Sequence, residues 1–239
     1  MIYVMSDLHG CYDKYKKLLE IINFSKDDTL YILGDICDRG DKPMSIYLDI
    51  MNSDNIHAIK GNHEMMAIEA LEKIMQSETD LNDENAEIDL DTYLSLSVWL
   101  DNGGDTTIKD LDSLDLQEKL SVYNFIKNLP YYEKVTVGDI EYTLVHAGLG
   151  NFSENKKIED YTPEELVWAE PDFDELLWSD RKKRLIVGHT PTFLFRKDPE
   201  NRIYHGKGSI TDVDCGAVYD FAAGRLGCLR LDDYKEFYV

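Results

Sequence analysis

The clearest pattern along this chain is a short apolar run that stops at a Gly, Asp or similar polar position, and it occurs five times. Each run is rich in β-branched or aromatic residues, which is typical of a buried strand. The five runs are Ile2–Met5, Leu30–Leu33, Ile56–Ile59, Tyr142–Val145 and Leu185–Val187. Between the first three runs, residues 12–24 and 43–51 carry apolar side chains at helical spacing. Strands that alternate with helices of this length predict an α/β fold that begins with a parallel sheet.

The rest of the chain predicts one domain over residues 1–239, since no long linker divides it. Residues 66–128 have mainly helical pattern and are interpreted as a helical insertion over the site. Within the insertion, residues 76–91 are dense in acidic residues without Lys or Arg, a composition typical of a solvated mobile loop. After Pro130 the strand patterns return. From Ile203 onward, short β-like runs between glycines predict hairpins of a second sheet.

Composition narrows the classes of function. With 47 acidic and 25 basic residues the chain has a formal net charge of −22, and a field of that sign repels nucleic acid. No apolar run has the length of a membrane span, and a strand pattern rather than a secretory leader stands at the start. Four cysteines without close pairing are typical of a reducing compartment. We expect a cytoplasmic protein without nucleic-acid or membrane partners; the sequence carries no signal for its oligomeric state.

A polar motif follows each of the five strand-like runs. The motifs are Asp7-Leu8-His9-Gly10, Gly34-Asp35-Ile36-Cys37-Asp38-Arg39-Gly40, Gly61-Asn62-His63-Glu64, His146-Ala147-Gly148 and Gly188-His189-Thr190. In layered α/β folds ligands bind at the carboxyl ends of strands, so we expect these side chains to meet in one site. Carboxylates, imidazoles and an amide are ligands for divalent cations.

The motifs offer enough ligands for two divalent cations, which would polarise a phosphoryl group and lower the pKa of a bridging water. The candidate ligands are Asp7, His9, Asp35, Asn62, His146 and His189. Asp35 is the natural bridging carboxylate. His63 directly follows Asn62 and is better placed to protonate a leaving oxygen, with Asp38 to orient its imidazole. Arg39 offers a planar fork for phosphate oxygens.

In this order the motifs resemble those of the phosphoprotein phosphatase family of binuclear, calcineurin-like metallophosphoesterases. The resemblance is strongest to the bacterial and bacteriophage lambda branch of serine/threonine phosphatases. It extends from Ile2 to about Val218, and residues 99–104 are similar to the W-L-x-N-G-G of the lambda-type enzymes. The resemblance implies a four-layer α-β-β-α sandwich with the metals at one edge of its two sheets.

The same resemblance implies roles for the site residues. Asp7, His9 and Asp35 would bind one metal, and the other would be bound by Asp35, Asn62, His146 and His189. The two divalent ions would be manganese by family likeness, with iron or zinc as alternatives. His63 would be the general acid, Asp38 its partner and Arg39 a phosphate clamp.

Two positions depart from the family pattern. Lys60 stands where many protein phosphatases have Arg before G-N-H-E, and lysine lacks the bidentate fork. The bacterial branch carries W-x-R after H-A-G, whereas the nearest local match here is Trp168-Ala169-Glu170, with a carboxylate in place of the guanidinium. Under another alignment Arg181 takes that position. Lys60 and Arg181 are therefore candidate substrate-binding residues beside Arg39.

These residues are compatible with three functions. The first is hydrolysis of phosphomonoesters by in-line attack of a hydroxide held between the metals. Its substrates would be phosphoserine or phosphothreonine, or phosphotyrosine, on proteins, or small phosphoesters. The second is a dinucleoside polyphosphate hydrolase of the diadenosine tetraphosphate type. The third is a metal-stabilised binding module with weak or lost catalysis, which the carboxylate of Glu170 suggests.

Overall fold

The N-terminal strand pattern forms the start of the first of two sheets. The computed structural model describes residues 1–76 and 89–239, so residues 77–88 of the predicted acidic loop lie outside the described residues. The sheet starts as three parallel strands joined by two helices: β1 (Ile2–Met5), α1 (Tyr12–Ile21), β2 (Thr29–Ile32), α2 (Pro43–Met51) and β3 (Ile56–Ala58). β1 is buried on both faces, with Tyr3 and Met5 toward the helices and Val4 toward the second sheet, which explains its uninterrupted apolar sequence.

A run of helices separates the two sheets along the chain. These are α3 (Asn62–Gln76), α4 (Leu90–Asp101), α5 (Gly104–Leu111) and α6 (Leu116–Asn128). Asp89 caps α4 by accepting hydrogen bonds from the backbone of Asp91 and Thr92, and Asp115 and Glu118 form a capping box at the start of α6. These caps satisfy amides that a helix leaves without partners. The helices occupy the predicted insertion; the assignment of one domain to the whole chain stays a prediction.

The second sheet is mixed. Its strands are β4 (Tyr132–Val137), β5 (Ile140–Val145), β6 (Lys183–Val187), β7 (Tyr204–His205) and β8 (Ile210–Asp212), and α7 (Pro163–Val167) lies between β5 and β6. They are arranged in the order β4-β5-β6-β8-β7. The three central strands run parallel, and the two outer pairs are antiparallel. The carboxyl ends of β5 and β6 therefore share one edge.

The last two strands correct the sequence analysis. β9 (Gly227–Arg230) and β10 (Lys235–Tyr238) do not join the second sheet; they extend the first, in the order β10-β9-β1-β2-β3. β9 pairs antiparallel with β1, which covers an edge that would otherwise expose unpaired backbone groups. Leu229 then lies fully buried between the sheets, and Cys228 lies under the helices.

Three apolar clusters stack the elements in four layers. Val4, Leu144 and Leu229 belong to the cluster between the two sheets. A second cluster packs the helices on the outer face of the first sheet, and a third packs the segment 149–178 on the outer face of the second. The predicted four-layer α-β-β-α architecture is confirmed. None of the helices in the described part of the chain is long and apolar enough to cross a membrane.

Candidate metal centre

Five loops meet where the carboxyl edges of the two sheets adjoin. Two loops follow β1 and β2, a third is the start of α3 after β3, and two more follow β5 and β6. They bring together most of the predicted site residues: Asp7, His9, Asp35, Asp38, Arg39, Asn62, His63, His146 and His189. All of them are buried except Arg39 and His189, which are half-buried. Two sheets thus contribute to a single cluster of side chains.

Asp35 lies at the centre of this cluster, with one carboxylate oxygen on each side. Its Oδ2 is 3.7 Å from Nε2 of His9 and 3.8 Å from Nε2 of His63. Its Oδ1 is 3.4 Å from Nε2 of His146. The ligand atoms of Asp35, His9 and His63 all lie within 4.8 Å of one another, and the same holds for Asp35, His146 and His189. Two groups of potential ligands therefore share one carboxylate, as a bridging ligand requires.

Backbone carbonyls fix the tautomers of two histidines. Nδ1 of His9 lies 2.8 Å from the carbonyl of Cys37, and Nδ1 of His146 lies 2.7 Å from the carbonyl of Leu33. A carbonyl only accepts, so each Nδ1 carries the proton and donates. Each Nε2 is left with a lone pair directed into the cluster, in the orientation that outer hydrogen bonds give to metal-binding imidazoles.

The donor set fits divalent cations. Nε2 of His146 lies 2.8 Å from Oδ1 of Asn62, so two lone pairs meet where a cation would relieve their repulsion, and Nδ1 of His189 lies 3.0 Å from the same oxygen. Burial, followed by the charges of Asp7 and Glu64, raises the pKa of Asp35. Burial and the nearby cationic and imidazole groups lower the pKa of His189 to about 3, which keeps it a neutral ligand near pH 7.

Asp7 connects the two sheets. Its Oδ2 accepts hydrogen bonds from the backbone N–H of His189, at 2.9 Å, and from the hydroxyl of Ser6. Gly188 permits this approach, because a Cβ at that position would lie 2.3 Å from Oδ2 of Asp7. The loop after β1 is thereby held against the loop after β6, which keeps the two halves of the cluster together.

His63 and Asp38 form a buried pair beside the cluster. Nδ1 of His63 lies 2.7 Å from Oδ2 of Asp38, so this nitrogen donates and Nε2 faces Asp35. The Arg39 guanidinium donates to Nε2 of His63 at 2.9 Å and to Nε2 of His9 at 2.7 Å. A cationic fork and an imidazole nitrogen thus share one face of the site, an arrangement that can bind an anion and move a proton.

Backbone strain is concentrated at this site. Several of its residues have a positive φ, which costs about 1–3 kcal/mol each for a non-glycine residue. They are Asp7, His9, Asp35, Asp38, Arg39 and His189. Such conformations persist when surrounding contacts outweigh their cost, and they aim side chains from consecutive loop positions into one place.

Sequence reasoning missed three supporting residues. Glu64 accepts hydrogen bonds from the backbone N–H of Asp35, Ile36 and Gly61 at 2.7–2.8 Å. The Trp99 indole donates to Asp38 at 3.0 Å, and the Thr107 hydroxyl donates to Asp38 at 2.6 Å. Glu64 and Trp99 lie in strings that the sequence analysis singled out, so a signal was present for both. Nothing in the sequence pattern marked Thr107.

The structure places the predicted substrate-binding cations in different surroundings. Lys60 is buried, and its ammonium donates to the carbonyl of Lys127 at 2.9 Å and lies over the Tyr131 ring, which ties it to the end of α6. Arg181 precedes β6 whereas His189 follows it, so about 16 Å of strand separates the two positions. Among these predicted cations, the structure brings only Arg39 to the cluster.

Comparison with known proteins agrees with this geometry. The model of the calcineurin-like phosphoesterase family matches residues 1–219. The chain belongs to this family. The predicted family is therefore confirmed, and the protein is a hydrolase of the metallophosphoesterase type. Membership of this family implies divalent metal ions, for which the cluster offers candidate ligands.

Relatives within the calcineurin-like family carry two kinds of name. Serine/threonine-protein phosphatase 2 of Escherichia coli (strain K12) is 30% identical over 190 residues, which cover 78% of this chain and 72% of that protein. The symmetrical bis(5'-nucleosyl)-tetraphosphatase of Delftia acidovorans is 35% identical over 78 residues, covering 32% of this chain and 28% of that protein.

A solved structure supports the fold. A protein provisionally described as a diadenosine tetraphosphatase superposes with a TM-score of 0.66 and 15% identity, covering 100% of this chain and 92% of that one. At this identity the likeness concerns the fold alone.

Proposed function

We propose that this protein is a phosphomonoesterase that acts on phosphorylated protein side chains. The observation that carries the proposal is the Arg39 guanidinium, which donates to Nε2 of His63 while Nδ1 of His63 is held by Asp38. An anion-binding fork and an imidazole that can take up a proton thereby border the cluster around Asp35. The 30% identity to a bacterial protein named a serine/threonine phosphatase, over most of both chains, supports this substrate class.

The proposed metal ligands are arranged around Asp35, but they differ from the two geometric groups: Asp7 is added to the first in place of His63, which is kept as the acid, and Asn62 is added to the second. Asp7, His9 and Asp35 would hold one divalent ion, and Asp35, Asn62, His146 and His189 the other. We propose manganese by family likeness; a set of oxygen and nitrogen ligands without thiolate is compatible with it, as it is with iron or zinc. Two such ions would supply Lewis acidity toward a phosphoryl oxygen and lower the pKa of a water.

The chain's own residues would then divide the remaining work. The two terminal nitrogens of Arg39 are free to donate to phosphate oxygens once they leave the imidazole nitrogens that they contact here. With a proton on Nε2, His63 would donate it to the ester oxygen as the P–O bond breaks, so the alcohol leaves neutral. Asp38 would stabilise the doubly protonated imidazole through the hydrogen bond at Nδ1.

Dinucleoside polyphosphate hydrolysis is the second candidate. The match to a protein named a symmetrical bis(5'-nucleosyl)-tetraphosphatase favours it, although that match covers only 32% of this chain. The reaction would use the same cluster, because a terminal phosphate and a phosphoanhydride both present negatively charged phosphoryl oxygens to Arg39. The two candidates differ in the leaving group: an alcohol or phenol in one, a nucleotide in the other.

The test is a direct comparison of substrates by the manganese-loaded full chain. Phosphate release is measured from phosphoserine, phosphothreonine and phosphotyrosine peptides, and nucleotide release from diadenosine tetraphosphate. Asp35→Asn serves as the blank, and Asp54→Asn, on an exposed loop, is the matched control. We expect release from peptides that only Asp35→Asn abolishes. Release from the dinucleotide alone would transfer the assignment to the second candidate, and inactivity on every substrate would favour a binding module.

A further inference from the structure

Aromatic side chains border the candidate metal centre on two sides. The ring centroid of Tyr219 lies 5.6 Å from the guanidinium carbon of Arg39. On the other side, the Trp168 ring meets the His189 ring edge to face at 5.8 Å. Burial raises the pKa of Tyr219, and Asp214, Asp7 and Asp35 raise it further against the opposing charge of Arg39. Tyr219 therefore stands close to the charged groups of the cluster.

Phe221 extends this aromatic surface into solvent. Its ring packs edge to face on Tyr219 at 5.7 Å, and Phe193 packs on Tyr219 at 5.5 Å. Phe221 is 87% exposed, so the interior of the protein gives no packing reason for a phenylalanine there. We call Tyr219 and Phe221 the aromatic ledge. Its inner end contacts the predicted phosphate clamp and its outer end is open to a ligand.

A lysine on α1 holds the loop that carries the ledge. Nζ of Lys14 donates to the carbonyl of Ala217 at 2.6 Å, to Oδ1 of Asp220 at 2.8 Å and to the carbonyl of Gly224 at 3.5 Å. Ala217 and Gly224 flank the aromatic ledge along the chain, and Asp220 lies between its two residues. A loop tied at both ends presents its aromatic rings in a defined position rather than as a flexible apolar tip.

We propose that the aromatic ledge stacks against the ring of an aryl phosphate, and that it makes phosphotyrosine a better substrate than phosphoserine in the same peptide. The proposal rests on the proposed phosphomonoesterase function. In an aryl phosphate a single oxygen joins the ring to phosphorus, so a phosphate bound by Arg39 brings that ring to the neighbouring Tyr219. The methylene of phosphoserine offers no face for stacking.

The reaction on such a substrate is the same hydrolysis. Water adds to phosphorus, the bond from phosphorus to the phenolic oxygen breaks, and that oxygen takes the proton from Nε2 of His63. The proton that the water loses then restores the proton on Nε2. The products are tyrosine and inorganic phosphate. The ledge takes part in no bond change and contributes only through contact with the ring of the substrate. The energy of one aromatic pair corresponds to about a three- to tenfold preference for phosphotyrosine over phosphoserine.

The first test uses two peptides that differ only in phosphotyrosine or phosphoserine. The ratio of their kcat/KM values is measured for the wild type, for Phe221→Ser and for Leu116→Ser. Leu116, at the start of α6, is a matched control because it is 73% exposed. We expect a wild-type ratio above one that falls about three- to tenfold in Phe221→Ser and does not change in Leu116→Ser. A wild-type ratio at or below one, or an equal ratio in Phe221→Ser, would overturn the proposal.

A second test measures binding without turnover. Phenylphosphonate and methylphosphonate carry the same anionic group, and only the first has a ring. We expect the wild type to bind phenylphosphonate more tightly, and Phe221→Ser to reduce that difference. Lys14→Met, which releases the loop, should reduce the difference in affinity as well, and Lys14→Arg should restore it. Lys17 is an exposed neighbour on α1, and Lys17→Met should leave the difference unchanged. Equal binding of the two phosphonates by the wild type would contradict the role of the ledge.

The two proposals fail in different ways. Phosphoserine turnover that Asp35→Asn abolishes, combined with no effect of Phe221→Ser on the ratio, would retain the phosphomonoesterase and reject the ledge. Turnover of diadenosine tetraphosphate without turnover of either peptide would reject the phosphomonoesterase and, with it, the preference for phosphotyrosine.

Discussion

Asp38 shows how single residues at this site are determined by their partners. One carboxylate accepts hydrogen bonds from Nδ1 of His63, from the indole of Trp99 and from the hydroxyl of Thr107. Asp38 is completely buried, and these three donors compensate for the loss of water around its charge. The orientation of the His63 ring is therefore set before any substrate arrives, which is the preorganisation that proton transfer needs.

The first prediction concerns His63. In His63→Asn we expect kcat on phosphoserine peptides to fall about 10²- to 10⁴-fold, the usual contribution of a positioned acid. The loss on phosphotyrosine should be smaller, because a phenol with a pKa of about 10 leaves more readily without a proton. Steady-state kinetics on both peptides measures this. His57→Asn, at an exposed position of β3, is the control.

Metal content separates the two roles open to His63. Its Nε2 also lies in one of the groups that could hold an ion. If His63 is the acid, His63→Asn keeps the metal content of the wild type. A lower content would identify it as a ligand instead and would contradict its assignment as the acid.

At the scale of elements, Glu64 joins the start of α3 to the loop after β2. Its carboxylate accepts from the backbone of Asp35, Ile36 and Gly61 and from the hydroxyl of Tyr47. Because Glu64 is fully buried, each of these donors depends on it for a partner. The loop that carries Asp35 is thus shaped from a helix more than 25 residues further along the chain.

The second prediction follows from these bonds. We expect Glu64→Gln to lower the free energy of unfolding by about 3 kcal/mol, since one amide oxygen replaces two and an NH₂ group is placed against backbone donors. Urea unfolding of both proteins measures the difference. Glu69→Gln, on the exposed side of the same helix, should cost under about 0.5 kcal/mol. Equal effects in the two variants would contradict the role of Glu64.

The third prediction concerns acid stability at α7. The side chain of Glu165 bonds Lys156, Asn151 and the backbone of Thr162, and these contacts lower its pKa from 4.5 to about 2. A folded pKa below the unfolded one stabilises the protein above pH 4.5, and this contribution is lost as the pH falls toward 2. Glu165→Gln should therefore have a lower Tm at neutral pH and a smaller further decrease on acidification.

The matched control for acid stability is Glu164→Gln. Glu164 is an exposed neighbour on α7. Thermal unfolding across the acid range should show the wild-type dependence on pH for this variant. The same dependence in Glu165→Gln would show that its contacts do not stabilise the fold.

At the scale of the whole molecule, the site gathers negative charge inside a strongly acidic protein. The cluster contains the buried carboxylates Asp7 and Asp35, and Asp214 lies nearby, while the chain has a net charge of −22. Burial raises the pKa of Asp35 and of Asp214, and the charge of Asp7 raises both further. Divalent cations would offset this repulsion, so the metals are expected to stabilise the fold as well as the reaction.

The fourth prediction is that chelation lowers the Tm. If the free metal concentration is about 100-fold above Kd, binding adds about 2.7 kcal/mol of stability. We expect the Tm to fall on addition of a chelator and to recover with excess manganese. Asp35→Asn should show little of this response. A wild-type Tm that is unaffected by chelation would contradict the assignment of a metal centre to these residues.

Much of this protein was predictable from its sequence because the relevant signals are local. An apolar run that ends in Gly and a polar residue describes a buried strand and the loop after it, and the loops after neighbouring parallel strands lie at the same carboxyl edge of the sheet. The structure therefore has a strand at each of the five runs, with the motif shortly after it, and a helix at residues 43–51. The family match covers residues 1–219, which include all five motifs.

Tertiary structure decided the features that depend on distant partners. Trp99 and Thr107 reach Asp38 across 61 and 69 residues of chain, the end of α6 turns Lys60 away from the cluster, and β9 pairs with β1 instead of with the second sheet. No local pattern records which edge of a sheet is uncovered or which carbonyl lies within reach of an ammonium. Those outcomes follow from packing, because burial makes each polar group find a partner wherever the fold supplies one.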